Sequence, residues 1–209
     1  MRTNEPGEVM TLYLLIVASY LLGSIPFGVL LTRAFGAGDL RRIGSGNIGA
    51  TNVLRTGRKE LAAATLILDG AKGAAAVLLV RHFLAEFGQE GAMIAGAAAM
   101  IGHCYPIWLK FRGGKGVATM LGLSLALAWP IGLVFAAAWI GAVLLLRISS
   151  LGGMIGAVSA PVAALLFGYP VYAVGLVGLA PIVLWRHREN IARLRAGTEP
   201  RIGGSKDSA

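Results

Sequence analysis

Residues 117–146 read VATMLGLSLALAWPIGLVFAAAWIGAVLLL, an apolar run without a charged side chain. A membrane-spanning helix needs about 20 such residues, so the run is too long for one untilted span. Trp129 and Pro130 lie near its middle, and Pro ends helices while Trp favours the membrane interface. The run is therefore predicted to form two short helices, Val117–Ala128 and Ile131–Leu146.

The composition of the whole chain is that of a membrane protein. Of 209 residues, 56% are hydrophobic and 14% are charged, against about 25% charged in soluble domains. A soluble globule of this length could not bury so much apolar surface, which excludes disorder and an ordinary cytosolic fold. Five more apolar segments bring the predicted count to seven membrane spans: Met10–Thr32, Leu61–Val80, Gly91–Leu109, Met154–Phe167 and Val171–Trp185.

The distribution of positive charge favours seven spans. Cytoplasmic loops are enriched in Lys and Arg. Seven spans place 16 of the 19 basic residues on one side, whereas treating residues 117–146 as a single span divides them nine against nine. The sequence predicts an all-α, polytopic integral membrane protein with its N-terminus outside and its C-terminus cytoplasmic. It forms one membrane-embedded domain, 1–209, with short flexible tails at about 1–9 and 202–209.

The net charge of +9 is therefore explained by the membrane topology, which gathers Lys and Arg on the cytoplasmic side. No nucleic-acid partner is expected. The single cysteine, Cys104, excludes a disulfide framework and a zinc cluster. No spacing of His, Cys or carboxylates indicates a metal site.

The first cytoplasmic loop reads GSGNIGATNVLR, from Gly44 to Arg55. It contains G-x-G-x-x-G, but a membrane helix precedes it where a dinucleotide site requires a strand. A flexible backbone with small hydroxyl and amide side chains can direct N–H groups at an anion. The alternative is a plain polar turn.

A second polar loop reads FRGGKG, from Phe111 to Gly116. It lacks the spacing of a Walker A loop, but it is a glycine turn that carries Lys115 to the start of a helix. Exposed N–H groups at a helix N-terminus suit a phosphate. The alternative is a basic anchor that flanks the membrane.

Other polar residues are spaced on helix faces. Asp69 and Lys72 are three residues apart within a span and can form a purely structural ion pair. His187 and Asn190 share a face at the cytoplasmic edge if the last span continues as a helix. The H-x-x-x-x-D motif of many acyl-CoA-dependent acyltransferases is absent.

Six segments match one known family in order and spacing, and together they are highly specific. They are Ser24–Gly28, Gly44–Arg55, Asp69–Gly73, Gly102–Pro106, Phe111–Thr119 and His187–Gly203. In these segments the chain resembles the bacterial acyl-phosphate:glycerol-3-phosphate acyltransferase family. Arg112 and Arg201 stand where the family usually has Lys, which keeps the charge but changes its geometry.

The resemblance implies seven membrane helices and a site at the cytoplasmic face of the bacterial cytoplasmic (inner) membrane. It implies transfer of an acyl chain from acyl phosphate to the 1-hydroxyl of glycerol 3-phosphate. The products are lysophosphatidic acid and phosphate, and the reaction is the first step of phospholipid synthesis. No metal or organic cofactor is expected. The expected partners are the two substrates and membrane lipid, and the protein is expected to be a monomer.

The resemblance also assigns roles to individual residues. Arg55 and Lys115 would clamp phosphate, the Gly113–Gly116 turn would hold the other phosphate through N–H groups, and His187 with Asn190 would orient the acceptor or the carbonyl. A substrate phosphate oxygen is the expected proton acceptor. The expected catalytic residues are Ser45, Ser150, His187 and Asn190. The expected substrate-binding residues are Arg55, Lys115, Asn47, Thr51, Asn52, Gly113, Gly114 and Gly116.

Two other classes of function are compatible with parts of the sequence. A transporter for a phosphorylated metabolite would also need basic loops and intramembrane charges. Transporters, however, place their site near the midplane, between repeated halves, and no repeat is visible here. A purely structural membrane protein would leave the glycine-and-cation loops unexplained.

Overall fold

The chain folds into α-helices joined by loops, as a computed structural model describes for residues 6–203. No strand occurs in that range. The helices are α1 (Pro6–Gly23), α2 (Phe27–Ala34), α3 (Ala50–Leu54), α4 (Lys59–Phe83), α5 (Gly88–Cys104), α6 (Val117–Leu127), α7 (Trp129–Leu146), α8 (Ser149–Leu166), α9 (Pro170–Arg186) and α10 (Arg188–Arg195).

The apolar run 117–146 forms two helices, as predicted. Ala128 has an extended backbone (φ −157°, ψ 120°), and Pro130 lies in the first turn of α7, where its missing N–H is no loss. All seven predicted apolar segments are helical within a few residues of their predicted bounds. The first is broken between α1 and α2 at Pro26, since a residue before proline avoids the helical region.

Length and composition allow five of the described helical segments to cross a membrane: Pro6–Ala34, Lys59–Phe83, Ala85–Leu109, Trp129–Leu146 and Ser149–Leu166. The count is six if α9 and α10, which meet at a 61° bend, form one span. The other helix that the sequence predicts as a span, α6, has only 11 residues. It is therefore about 16 Å long, whereas the hydrocarbon core of a membrane is about 30 Å thick. Seven spans remain a prediction.

Residues 6–9, part of the N-terminal tail predicted at about 1–9, belong to α1, and the tail itself stays a prediction. At the other end, the N–H of Ile202 donates to the carbonyl of Arg147 at 2.7 Å, so residue 202 is held to the bundle. Residues 1–5 and 204–209 lie outside the described residues.

Helices α4 and α6 run side by side in the same direction. Gly70 and Gly73 of α4 face the first turns of α6, where a Cβ on Gly73 would collide with the Thr119 carbonyl. Eight residues further along, the Arg81 guanidinium donates to the Ala126 carbonyl at 2.8 Å. Small residues let membrane helices approach this closely.

Consecutive helices from α4 to α9 alternate in direction. Between α4 and α5, for example, Val77 lies against Gly96, while Asp69 lies near His103. Between α7 and α8, Trp139 lies against Gly152 and Phe135 against Gly156. One end of the bundle therefore carries the start of α4, α6 and α8 and the finish of α5, α7 and α9. We call it the polar end, and we call the other the opposite end.

Candidate active site

A cavity of about 950 Å³ opens between the loops of the polar end. Most of its wall comes from four parts of the chain that are far apart in sequence: residues 43–55, the start of α6, the start of α8 and the segment 187–203. Helices α4, α5 and α7 complete the lining with Leu66, Asp69, His103 and Trp139. The predicted site residues that line it are Ser45, Asn47, Thr51, Asn52, Arg55, Lys115, Gly116, Ser150, His187 and Asn190.

The cavity reaches well below the ends of the longer helices. The hydroxyl of Thr119, in the first turn of α6, donates to the carbonyl of Asp69 at 2.9 Å. Asp69 is ten residues into α4, which corresponds to about 15 Å along the helix axis. The shortness of α6 therefore brings Lys115 and Gly116 down to a recessed floor.

Five polar side chains form one hydrogen-bonded network at the cavity wall. The Lys115 ammonium donates to Asn190 Oδ1. Asn190 Nδ2 donates to Glu199 Oε1 at 2.5 Å, and the Ser150 hydroxyl donates to the same oxygen at 2.6 Å. Arg193 Nε donates to Glu199 Oε2 at 2.7 Å. The network brings together three residues that the sequence predicted separately.

Glu199 is the functional residue that sequence reasoning missed. Its side chain is only 6% exposed, and it accepts hydrogen bonds from three side chains on two helices, α8 and α10. Glu199 lies in His187–Gly203, one of the segments that match the family. Its position as an acidic residue among Arg193, Arg195 and Arg201 is the sequence feature that could have indicated a role in the site. Spacing alone did not show that this carboxylate folds back onto α8.

The charged groups of the network have shifted acidities. Burial is the main reason that the pKa of Lys115 falls to about 8, although the nearby Glu199 carboxylate works in the opposite direction. Burial would raise the pKa of Glu199, but hydrogen bonds from Ser150, Asn190 and Arg193 outweigh it and lower that pKa. At neutral pH the cavity wall therefore holds an ammonium and a carboxylate that are bridged by an amide.

His187 is neutral and fixed in one tautomer. It is 3% exposed, and burial is the main reason that its pKa falls to about 4. Its Nδ1 lies 2.8 Å from the Val183 carbonyl. A carbonyl can only accept, so Nδ1 carries the proton and Nε2 keeps a free lone pair.

Asn52 shapes the first loop. Its Nδ2 donates to the carbonyls of Leu40 and Ile43, both at 2.9 Å. Its Oδ1 accepts from the Ser45 N–H at 3.2 Å and from Arg55 Nη1 at 3.4 Å. With every polar group of the amide engaged, Asn52 is suited to holding Ser45 and Arg55 beside each other.

The first loop is also joined to α8. The hydroxyls of Thr51 and Ser149 lie 3.1 Å apart, within hydrogen-bond distance. This contact sets the first loop against the start of α8, which carries Ser150.

The structure corrects the expectation for Gly113 and Gly114. Their N–H groups donate to the carbonyls of Cys104 and His103, at 3.1 and 3.0 Å, so they are not free for a phosphate. Their carbonyls accept from the Arg186 guanidinium. Neither glycine lines the cavity. The loop is braced from both sides, and it presents Lys115 and Gly116 to the cavity.

Among residues 6–203, no group of three or more His, Cys, Asp or Glu side chains could hold a metal ion.

The chain is similar to proteins of one known family. The family model described as glycerol-3-phosphate acyltransferase matches residues 13–197. A protein named glycerol-3-phosphate acyltransferase from Novosphingobium aromaticivorans is 65% identical over 191 residues, covering 91% of this chain and 95% of the relative. The chain belongs to the glycerol-3-phosphate acyltransferase family. Another member of that name, from Ruegeria sp., is 61% identical over 184 residues, 88% of this chain and 90% of its own.

Solved structures of the family share the fold. The crystal structure of PlsY (YgiH), described as an integral membrane glycerol 3-phosphate acyltransferase, is 37% identical in its glycerol 3-phosphate form. The TM-score is 0.86, with 92% of this chain and 96% of PlsY covered. Its lysophosphatidic acid form gives a TM-score of 0.85. Like that family member, this chain is a multi-pass membrane acyltransferase built from α-helices.

Proposed function

We propose that this protein transfers a fatty acyl chain from acyl phosphate to the 1-hydroxyl of glycerol 3-phosphate. The products are lysophosphatidic acid and inorganic phosphate, and the reaction is the first step of phospholipid synthesis. The observation that carries the proposal is the recessed ammonium of Lys115, tied to Asn190 in the wall of a cavity that also contains Arg55. The glycerol 3-phosphate and lysophosphatidic acid forms of PlsY are consistent with this acceptor and this product.

Acyl phosphate suits the residues of the cavity. It is a mixed anhydride with phosphate as a good leaving group, so the protein need not form a covalent intermediate. The Ser150 hydroxyl does contact a carboxylate, but Glu199 accepts from two further donors and its pKa is lowered, which makes it a poor base. The protein has instead to bring two phosphorylated molecules together, which is a task of orientation and electrostatics.

The proposed mechanism is direct transfer. Lys115 and Arg55 hold the two phosphates, and Gly116 lets the backbone pass close to them. The 1-hydroxyl of glycerol 3-phosphate attacks the acyl carbonyl, the bond from that carbon to the phosphate oxygen breaks, and the hydroxyl proton passes to a phosphate oxygen. Neutral His187 accepts a hydrogen bond through Nε2 from the 2-hydroxyl of glycerol 3-phosphate and so orients the acceptor without taking the proton of the attacking 1-hydroxyl, and Asn190 and Ser150 orient the reacting groups.

The remaining proposed contacts lie along the first loop. Ser45, Asn47 and Thr51 offer small polar groups to the acceptor, and Asn52 supports Arg55. Gly113 and Gly114 act through the loop that carries Lys115. The reaction needs no metal or cofactor, because the donor is already activated.

We further propose that the chain crosses the bacterial inner membrane seven times, with the polar end in the cytoplasm. The alternation of α4 to α9 supports crossings of opposite sense, and Lys and Arg gather at the polar end. The whole chain, 1–209, then acts as one membrane-embedded domain and as a monomer, and the acyl chain extends from the cavity into lipid.

The test is a product assay with purified protein. Radiolabelled glycerol 3-phosphate is supplied with palmitoyl phosphate or, separately, with palmitoyl-CoA. The proposal predicts labelled lysophosphatidic acid with palmitoyl phosphate alone. Equal or faster product formation from palmitoyl-CoA would contradict the proposed donor, and no product from either donor would contradict the proposed function.

A further inference from the structure

Two buried ionisable side chains line the deepest part of the cavity and have no role in the transfer step above. Asp69 lies on α4 and His103 on α5, and they are 3% and 4% exposed. The Lys72 ammonium lies 2.7 Å from Asp69 Oδ1 and also donates to the Ile25 carbonyl at 2.8 Å. Charged groups at this depth are costly, so the arrangement needs a reason.

The hydrogen bonding of this group is incomplete. Among the described residues, three buried side-chain polar atoms lack a well-directed hydrogen bond: Asp69 Oδ1, which has only its ion pair with Lys72, and His103 Nδ1 and Ser124 Oγ, which have no partner. The first two are 3.6 Å apart. An imidazole N–H and a carboxylate oxygen at this separation need only a small rotation to bond, and each unsatisfied group in a native structure asks for an explanation.

Both residues are joined to the segment that carries Lys115. The His103 carbonyl accepts the Gly114 N–H at 3.0 Å, and a Cβ on Gly114 would collide with the His103 ring. The Asp69 carbonyl accepts the Thr119 hydroxyl at 2.9 Å, just beyond the other end of the segment. The pair therefore contacts the segment at Gly114 and the first turn of α6 at Thr119, on either side of Lys115 in the sequence.

We infer that Asp69 and His103 are a positioning pair: the carboxylate orients the imidazole, and the imidazole supports the Gly113–Gly116 segment so that Lys115 meets a substrate phosphate. The bond made by Nδ1 determines the tautomer and orientation of a histidine. With Nδ1 turned to Asp69, the Nε2 side of the ring stays against Gly114. A misplacement of a binding group by about 1 Å can cost about 100-fold in rate. The inference rests on the proposed function.

The test compares His103→Leu with His103→Asn. Leu and Asn have nearly the same size and shape, so both remove the ring equally, but only Asn keeps a donor near the position of Nδ1. We expect His103→Leu to lower kcat/KM for glycerol 3-phosphate by about 10- to 100-fold. We expect His103→Asn to recover at least about fivefold of that loss, because a hydrogen bond to a carboxylate is among the stronger kinds.

A pH profile separates positioning from general stability. The charges of Glu199, Arg193, Glu189 and Arg186 act on Lys115, whose pKa is about 8 mainly because it is buried. A loosened segment exposes Lys115 to water, so the alkaline limb of kcat/KM should move to higher pH in His103→Leu and return in His103→Asn. A purely structural role would lower the melting temperature without moving this limb.

The matched control is Ser124→Ala. It removes the third unpartnered buried atom, on α6 and outside the cavity, and it should leave kcat/KM within about twofold of the parent. If His103→Leu does not fold, the charge-neutral double variant Asp69→Leu with Lys72→Met replaces it. This variant removes the acceptor that faces His103 Nδ1, so the same loss of kcat/KM and the same shift of its alkaline limb are expected.

Equal kcat/KM in the Leu and Asn variants, with the alkaline limb unmoved, would overturn the inference. The dissociation constant for glycerol 3-phosphate, measured by calorimetry, keeps this result separate from the proposed function. If the parent makes no lysophosphatidic acid, the proposed function fails, while a weaker binding of glycerol 3-phosphate by His103→Leu than by His103→Asn still supports the pair.

Discussion

The two ends of the helix bundle are built differently. At the opposite end the helices are joined by short connections, such as the single residue Ala128 between α6 and α7. At the polar end the connections 35–58 and 105–116 and the segment 187–203 that follows α9 are long, and they carry most of the cations, amides and hydroxyls of the cavity. Functional residues concentrate on loops held by a rigid scaffold. The opposite end closes the bundle, and the polar end carries the chemistry.

The largest expected effect at the polar end is that of Lys115→Ala. A charge-assisted hydrogen bond contributes about 1.5–3 kcal/mol in ordinary settings, and more where water is excluded. We expect kcat/KM to fall at least about 100-fold while the protein stays folded. The matched control is Lys59→Ala, which removes an exposed lysine at the same end and outside the cavity. Equal activities of the two variants would contradict a role in catalysis and would show that Lys115 only helps to set the membrane topology.

Glu199→Gln should have the next largest effect. The substitution keeps the size of the side chain but removes the charge that accepts from Ser150, Asn190 and Arg193. A loss of about tenfold in kcat/KM is expected, since hydrogen bonds to charged groups are stronger than neutral ones. Glu189→Gln, at an exposed position of α10, is the control. A loss in the control as large as that in Glu199→Gln would show that only the general charge of the tail matters.

His187→Asn tests whether the histidine orients or takes up a proton. With a pKa of about 4, His187 is neutral from pH 5.5 to 8.5, so it should give no acidic limb in that range. Orientation predicts a loss below about 100-fold, whereas a general base contributes about 10²–10⁴-fold. The rate is measured across that range with glycerol 3-phosphate saturating. A loss above about 10³-fold, together with the disappearance of an acidic limb seen in the parent, would assign base catalysis.

The smallest effect is expected at the opposite end. Gln89→Cys, made with Cys104→Ala, should leave kcat/KM within about twofold of the Cys104→Ala protein, because Gln89 is exposed and remote from the cavity. The new thiol should react with an impermeant reagent from outside the cell. A thiol at Lys59 should react only from the cytoplasmic side. Labelling of both from one side would contradict the alternation of the helices across the membrane.

The sequence predicted the scaffold well because its signals are local. The break at Ala128 follows from the length of the apolar run and from Pro130, and Lys115 stands out in its glycine turn. The partners of a side chain are not local. Glu199 reaches Ser150 across 49 residues of chain, and Gly113 and Gly114 gain their partners from the preceding helix. Which N–H groups remain free for a phosphate is therefore decided by tertiary structure.

The central claim is that the cavity promotes direct transfer between two bound molecules. The most direct measurement mixes the protein, at a concentration comparable to the substrate, with palmitoyl phosphate and follows phosphate on the millisecond to second timescale. Direct transfer predicts release of phosphate only when glycerol 3-phosphate is present, without an acylated form of the protein. A burst of phosphate equal to the amount of protein, in the absence of glycerol 3-phosphate, would contradict the account.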